Sequence, residues 1–265
     1  MRNPDSHKGE NGKVAIIGGS RHIHGAPIFS ALAAEASGVD LVFLCIPVSH
    51  ENVAKNASLN FQVHQFKGEE LSREDTGYIL QMLAIMDSCV IGPGLSRGAE
   101  CLSSLEQIIR GAPCPLVLDA TALQPDSLAL LQGKIAVLTP HLGELERMGI
   151  AHGDIGEAAK RHGVTIHVKG PVDSIASPDG TVQEIAGGNA GLTVGGTGDA
   201  LAGLIAGLIA QKMSPAEACA LATTVIKSCG DRLCEEKGFT YTTRDVIEQI
   251  PYVLHECLDT KNVSS

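Results

Sequence analysis

The pentapeptide Gly195-Gly196-Thr197-Gly198-Asp199 sets a carboxylate directly behind residues with little or no side chain, and the run Ala200 to Ile209 that follows is apolar and rich in small residues. Backbone N–H groups on such residues can approach an anion closely. At a helix N-terminus the unpaired donors and the positive end of the helix dipole both favour negative charge. Read that way, the loop is a phosphate cradle whose N–H groups hold the Asp199 pKa low, leaving Asp199 as an ionised base or an electrostatic partner beside the phosphate. A second reading stays open from these residues alone: a glycine-rich turn whose aspartate caps the next helix.

Other polar residues with chemical capacity follow short apolar runs. Asp119, after Pro115 to Leu118, suits a ligand-positioning or metal-bound-water role, or the cap of the next helix. His141, in Thr139-Pro140-His141, suits a hydrogen bond to a substrate or the first turn of a helix, and Glu144 three residues on reads as the dipole-favoured acid of that turn. Lys169 suits neutralisation of a phosphate or a solvated strand end, and Gly170-Pro171 behind it fits either. Asn189, in Gly187-Gly188-Asn189-Ala190-Gly191, is a turn residue or a ligand contact.

Elements that would position these residues can be read from the apolar periodicity. Val14 to Ile17 is a strand running into Gly18-Gly19, and Ala26 to Ser37 has helical spacing. Further strands are expected at Leu41 to Ile46, at Ser88 to Ile91 before Gly92-Pro93-Gly94, at Pro115 to Leu118, at Ile135 to Leu138 and at Thr165 to Val168. Such near-continuous apolar runs fit a parallel sheet covered on both faces, so the fold class is α/β with helices on either side. A hairpin is expected around Pro178-Asp179-Gly180, and long helices over Gly198 to Lys212 and Pro215 to Lys237, the latter apolar almost all round between Ala216 and Cys229. In an open α/β sheet ligands bind beyond the carboxyl ends of the strands, which gathers Gly18-Gly19, Gly92 to Gly94, Asp119, His141, Lys169-Gly170 and the Gly195 to Asp199 loop along one edge.

Composition narrows the partners. A formal charge of -10 without a long basic run argues against nucleic acid or an anionic membrane, so any phosphate is held locally by loops and helix ends. No stretch gives a membrane span or a secretory leader, and 8 cysteines without CxxC spacing point to a reduced, cytoplasmic protein with no zinc site. The chain reads as one globular unit over 1–265, with 1–12 and 260–265 expected to be flexible.

The ordered set Ser6-His7-Lys8-Gly9, Gly25-Ala26, Gly92-Pro93-Gly94-Leu95, Asp119-Ala120 with Ala122-Leu123, Thr139-Pro140-His141 with Gly143-Glu144, Lys169-Gly170 and Gly195 to Asp199 resembles the ADP- or ATP-dependent NAD(P)H-hydrate dehydratases, from about Ser6 to about Pro251. The resemblance implies a ribokinase-like three-layer sandwich, a central mostly parallel sheet between helices. It implies repair of the S form of NADH hydrate or NADPH hydrate: the nucleotide, ADP or ATP with Mg2+, phosphorylates the 6-hydroxyl, and loss of phosphate restores the dihydronicotinamide. Carried onto this sequence, Asp199 is the base, with Gly196, Thr197 and Gly198 as the anion hole. Ala26, Gly94, His141 and Asp199 line the hydrate site, and Lys169, Gly170, Pro171, Val172, Asp173 and Gly198 bind the nucleotide. ADP is the favoured nucleotide, no protein-held metal cage is implied, and relatives suggest a homotetramer or other homo-oligomer. Larger relatives carry an epimerase domain for which this chain is too short.

The sequence departs from the family pattern at Thr121 in place of aspartate, Leu142 and Ala190 in place of prolines, and Ala36-Ser37-Gly38-Val39-Asp40 in place of a Gly-Ala-Gly. Two other functions share these features: a small-molecule kinase for a sugar, hydroxymethylpyrimidine or thiazole alcohol, which stops after phosphoryl transfer, and a non-catalytic nucleotide-binding protein, against which the intact Asp199 speaks.

Overall fold

In a computed structural model that describes residues 5–263, a nine-stranded sheet runs through the centre of the chain. The order of elements is β1 (Lys13–Ile17), α1 (Gly25–Ala36), β2 (Leu41–Ile46), α2 (Glu51–Ala57), β3 (Phe61–Gln65), α3 (Thr76–Leu83), β4 (Ser88–Ile91), α4 (Ala99–Gly111), β5 (Leu116–Leu118), α5 (Ser127–Leu130) and β6 (Ala136–Leu138). They are followed by α6 (Leu142–Arg147), α7 (Ile155–His162), β7 (Thr165–Val168), β8 (Val172–Ala176), β9 (Val182–Ala186), α8 (Thr197–Ala210), α9 (Pro215–Lys237) and α10 (Thr243–Val263). Strands lie side by side as β3-β2-β1-β4-β5-β6-β7-β8-β9, parallel as far as β7 and antiparallel for β8 and β9.

Burial on both faces explains the uninterrupted apolar strands. Alternate residues of β1 belong to two cores: Val14 and Ile16 pack with α1, α8, α9 and α10, whereas Ala15 and Ile17 pack with α3, α4 and α7. Six cysteines, Cys45, Cys89, Cys101, Cys114, Cys219 and Cys229, are buried as small apolar side chains, and burial pushes the Cys114 thiol up to about 11.

One strand escaped the sequence reading. β3 lies at the sheet edge and alternates Phe61 and Val63 with Gln62, His64 and Gln65, so it lacks the apolar run that marks the inner strands. The expectation of flexible ends falls partly outside the described residues: 1–4, 264–265 and the side chains of 260–263. Within the N-terminal segment, the N–H groups of Gly9 and Asn11 donate to Asp40 Oδ2 at 2.6 and 3.1 Å, which ties residues 9–11 to the start of β2.

Because β1, β4, β5, β6 and β7 are parallel, their carboxyl ends share one edge, and contacts knit the loops there together. The Gly19 N–H donates to the Pro93 carbonyl at 2.8 Å, and the Lys169 N–H to the Pro140 carbonyl at 2.9 Å. At Gly92 (φ +123°) a Cβ would stand 1.9 Å from the Asp119 carbonyl, so only glycine permits the β4 and β5 turns to touch. The loop before α8 closes on the same edge.

Candidate active site at the carboxyl edge of the sheet

Helix α8 begins where Gly196 takes a left-handed turn (φ +100°) against the ring of Phe29, with room for no side chain: a Cβ would stand 2.5 Å from the ring. Among the described residues the N–H groups of Gly198 and Asp199 have no hydrogen-bond partner, and that of Thr197 reaches the Val194 carbonyl at the long distance of 3.5 Å. This is a helix N-terminus with donors to spare, and the small residues around it leave it open. The Thr197 hydroxyl faces away, donating to the Val194 carbonyl at 2.8 Å.

Asp119 ends β5 and is buried, its Oδ1 accepting from Thr139 Oγ1 at 2.8 Å and from Lys169 Nζ at 2.7 Å. The next residue, Ala120, has φ +50°, a conformation costly for a side-chain-bearing residue, and its place beside an ion pair at the loop edge fits strain held by the site. Lys169 carries the bridge between loops: burial works against its charge, but Asp119, with Glu144 and Asp199 beyond it, raises its pKa and keeps it cationic. Its ammonium lies over the start of α8, 3.2 Å from where a Cβ on Gly198 would stand.

Asp199 corrects one expectation. The loop amides were to hold its pKa low; instead burial first, then the charges of Asp119 and Glu144, push it up to about 7 against the opposing pull of Lys169. No hydrogen bond from another described residue reaches its carboxylate, whereas its backbone carbonyl accepts from Ser30 Oγ at 2.9 Å. The open N–H groups at the helix start thus leave the half-buried side chain in the field of two acids.

A cavity of about 800 Å³ opens beside this cluster. Of the residues expected at the site, His141, Lys169, Gly170, Pro171, Asp173, Asn189, Thr197 and Gly198 line it. Val172 does not, and its side chain is half exposed at the start of β8. Ala26 and Gly94 are outside that lining but close to each other: a Cβ on Gly94 would stand 3.4 Å from that of Ala26, one helical turn before the Ser30 that binds Asp199. His141 caps α6 by accepting from the Glu144 N–H through Nδ1 at 3.3 Å, and Glu144 Oε2 accepts from the His141 N–H at 3.0 Å. Glu144 therefore has the helix-capping role, and the largely exposed His141 ring faces the cavity. Asn189 is a turn residue as well as a wall: its Oδ1 accepts from the Gly191 N–H and the Tyr241 hydroxyl at 3.0 and 2.7 Å.

Sequence reading missed the cavity's far wall, formed by Thr223, Ile226 and Lys227 of α9. The apolar surroundings of that helix masked the polar residues at 223, 227 and 231, whose spacing of four puts them on one face.

Among the described residues no group of three or more histidines, cysteines or acids could hold a metal ion. Of the acids near Asp199, Asp119 is bonded to Lys169 and Thr139, and Glu144 to the His141 N–H.

A sheet covered on both faces, with an open helix start and an acid at its carboxyl edge, defines a ribokinase-like nucleotide-dependent enzyme. The chain belongs to the NAD(P)H-hydrate dehydratase family, whose signature matches residues 14–252. It is 37% identical over 264 residues to the ADP-dependent (S)-NAD(P)H-hydrate dehydratase of Cenarchaeum symbiosum, covering 96% of this chain and 92% of that one. Against the bifunctional NAD(P)H-hydrate repair enzyme of Methanopyrus kandleri it is 36% identical, with 96% of this chain matched but 51% of that protein, so it spans about half of that relative. The ADP/ATP-dependent NAD(P)H-hydrate dehydratase of Bacillus subtilis, co-crystallised with ATP and Mg2+, superposes with a TM-score of 0.82 at 25% identity, covering 97% of this chain and 93% of that one.

Proposed function

We propose that this chain is an ADP-dependent dehydratase that returns the S form of NADH hydrate or NADPH hydrate to the dihydronicotinamide, and that residues 1–265 act as one such domain. The observation that carries the reading is the pairing of a half-buried acid, Asp199, with open N–H groups at the wall of a cavity of nucleotide size.

In this reading Asp199 takes the proton of the substrate's 6-hydroxyl as that oxygen attacks the terminal phosphoryl group of the nucleotide. The bond to the departing AMP breaks, and the N–H groups of Gly196, Thr197 and Gly198 hold the charge on the transferring group. Phosphate then leaves the ring carbon, pushed by the ring nitrogen's electron pair, with loss of a proton from the neighbouring carbon. Hydroxide leaves poorly and phosphate well, which is why a nucleotide is consumed in a dehydration. Ala26, Gly94 and His141 face the hydrate, Lys169 to Pro171 with Gly198 face the nucleotide, and Val172 and Asp173 continue that segment into β8. Magnesium bound with the nucleotide would supply neutralisation of phosphate charge. The raised pKa of Asp199 suits a group that must accept a proton near neutrality, since a carboxylate of ordinary acidity is a weaker base.

A cytoplasmic setting is part of the proposal. It is supported by the buried, unbridged thiols, and no helix of the described residues is long and apolar enough to cross a membrane. A homo-oligomer, a tetramer foremost, is the remaining part of the proposal, and the exposed Val182 on edge strand β9 is compatible with a subunit contact there.

The deciding experiment mixes purified protein with NADH hydrate, magnesium and either ADP or ATP, and follows the near-ultraviolet absorbance of the dihydronicotinamide ring. The expected result is regain of absorbance with one phosphate formed per ring restored, together with one AMP from ADP or one ADP from ATP, and faster with ADP. Phosphorylation of simple alcohols without regain of absorbance would mark a small-molecule kinase instead.

A further inference from the structure

The polar face of α9 does more than line the cavity. Lys227 is 7% exposed, and its ammonium donates to the carbonyls of Pro171 at 2.9 Å, Gly187 at 3.1 Å and Gly170 at 3.3 Å. An ammonium has three donors, and here all three reach carbonyls, two in the turn between β7 and β8 and one in the loop after β9. Those two segments both line the cavity and lie side by side, since Val172 of β8 pairs with Ala186 of β9. The lysine's stem completes the fit, for a Cβ on Gly188 would stand 3.2 Å from its Cγ.

A buried cation needs a counter-charge, and Asp173 Oδ1 supplies it at 3.3 Å. The same Oδ1 accepts from the Gly170 N–H at 3.1 Å, and Oδ2 lies 2.7 Å from His167 Nε2, which is also 3.1 Å from Thr223 Oγ1. Burial pushes the Asp173 carboxyl up, but His167, the Gly170 N–H and Lys227 together outweigh it and hold the pKa below the ordinary carboxylate value. Asp173, expected at the nucleotide by resemblance, therefore faces inward and secures the wall.

We propose that Lys227 is the positioning residue of the nucleotide pocket: by holding Gly170, Pro171 and Gly187 at fixed spacing, with Asp173 as its counter-charge, it sets nucleotide affinity without touching the reacting atoms. The proposal rests on the reading of this cavity as the nucleotide site.

Lys227→Met keeps the stem and removes the donors. The dissociation constant of ADP, measured by calorimetry without hydrate, and KM for ADP should both rise roughly tenfold or more, because three carbonyls lose their shared partner and the two segments relax. At saturating ADP, kcat and the KM for hydrate should move by less than about threefold, the split expected when only ground-state nucleotide binding is lost. Lys227→Arg, which keeps a cation and donors, should recover part of the affinity. Should Lys227→Met fail to fold, Asp173→Asn, which keeps an acceptor for Gly170 but removes the charge, should weaken ADP binding severalfold. Unchanged ADP affinity in a folded variant, even one of reduced melting temperature, overturns the proposal, and so does a fall in kcat at constant KM. Failure of the wild-type protein to turn over hydrate would sink the dehydratase reading while leaving the ADP-affinity comparison decisive for Lys227.

Discussion

Two regions meet at Asp199 and are held by opposite means. On one side α8 lies against α1 with no atoms to spare: a Cβ on Gly203 would fall 2.0 Å from the Ser30 carbonyl oxygen, and one on Gly207 2.1 Å from Ser37 Oγ. On the other, the cavity walls at 169–173 and 187–191 are joined by Lys227, Asp173, Asp231 and Asn189 through hydrogen bonds. The seam is dry close packing, in which position is fixed by contact and an added methyl must displace backbone. The walls are a polar clasp, in which position is set by partners that can be exchanged one at a time. The seam decides where the carboxylate stands, and the clasp decides what fits beside it.

The largest effect is expected where the two regions join. Asp199→Asn should lower kcat roughly 10³-fold, the usual worth of a positioned base, with ADP affinity largely kept. It should also stabilise the fold. Folding raises this pKa from 3.8 to about 7, so the native state binds the proton more tightly than the unfolded chain, and the group's contribution falls as pH rises through that interval. Denaturant titrations should show the variant about 2 kcal/mol more stable than wild type near pH 8, after allowance for partial exposure, and no more stable near pH 4. Equal stability at both pH values would show that the carboxylate is not held against its charge.

Next in size is a break in the seam itself. Gly203→Ala should cost about 3 kcal/mol or more, since its methyl meets the Ser30 backbone and not a movable side chain. Activity per folded molecule should fall as well, because Ser30 also binds the Asp199 carbonyl. A variant of wild-type stability and turnover would mean that α1 and α8 are free to part.

The same contrast accounts for what could be read from the sequence. Inner strands announce themselves because both faces are covered, and the seam shows as the alanine and glycine run after Asp199. The glycine turns, Asp119, His141 and Lys169 sit at strand ends, so a parallel order alone gathers them. Edge strand β3 did not show, since only Phe61 is buried and the rest are partly or fully exposed. Nor did the clasp, because Lys227 and Asp231 acquire meaning only when α9 folds back over loops 40 and more residues earlier in the chain. The raised pKa of Asp199 was equally hidden: it depends on burial and on Asp119 and Glu144, brought near from behind β5 and β6.

That acid neighbourhood gives a test of intermediate size. The wild-type profile of kcat/KM should rise with pH through about 7 as Asp199 ionises. Asp119→Asn removes the like charge and frees Lys169, so the rising limb should move down by about 0.5–1 pH unit. A limb that stays in place would detach the profile from Asp199.

The smallest effect separates the clasp into its parts. Asp231 accepts from the Gly188 N–H at 3.1 Å and from Asn189 Nδ2 at 3.2 Å, but it is exposed, so water can replace it more readily than it can replace the buried Lys227. Asp231→Ala should therefore raise KM for ADP only about two- to threefold, with kcat and melting temperature little changed, as expected for a solvent-screened contact. A loss as large as that of Lys227→Met would move control of the pocket from the buried lysine to the 187–191 loop. The clasp would then act through the order of that loop, and the spacing of the two walls would follow from it.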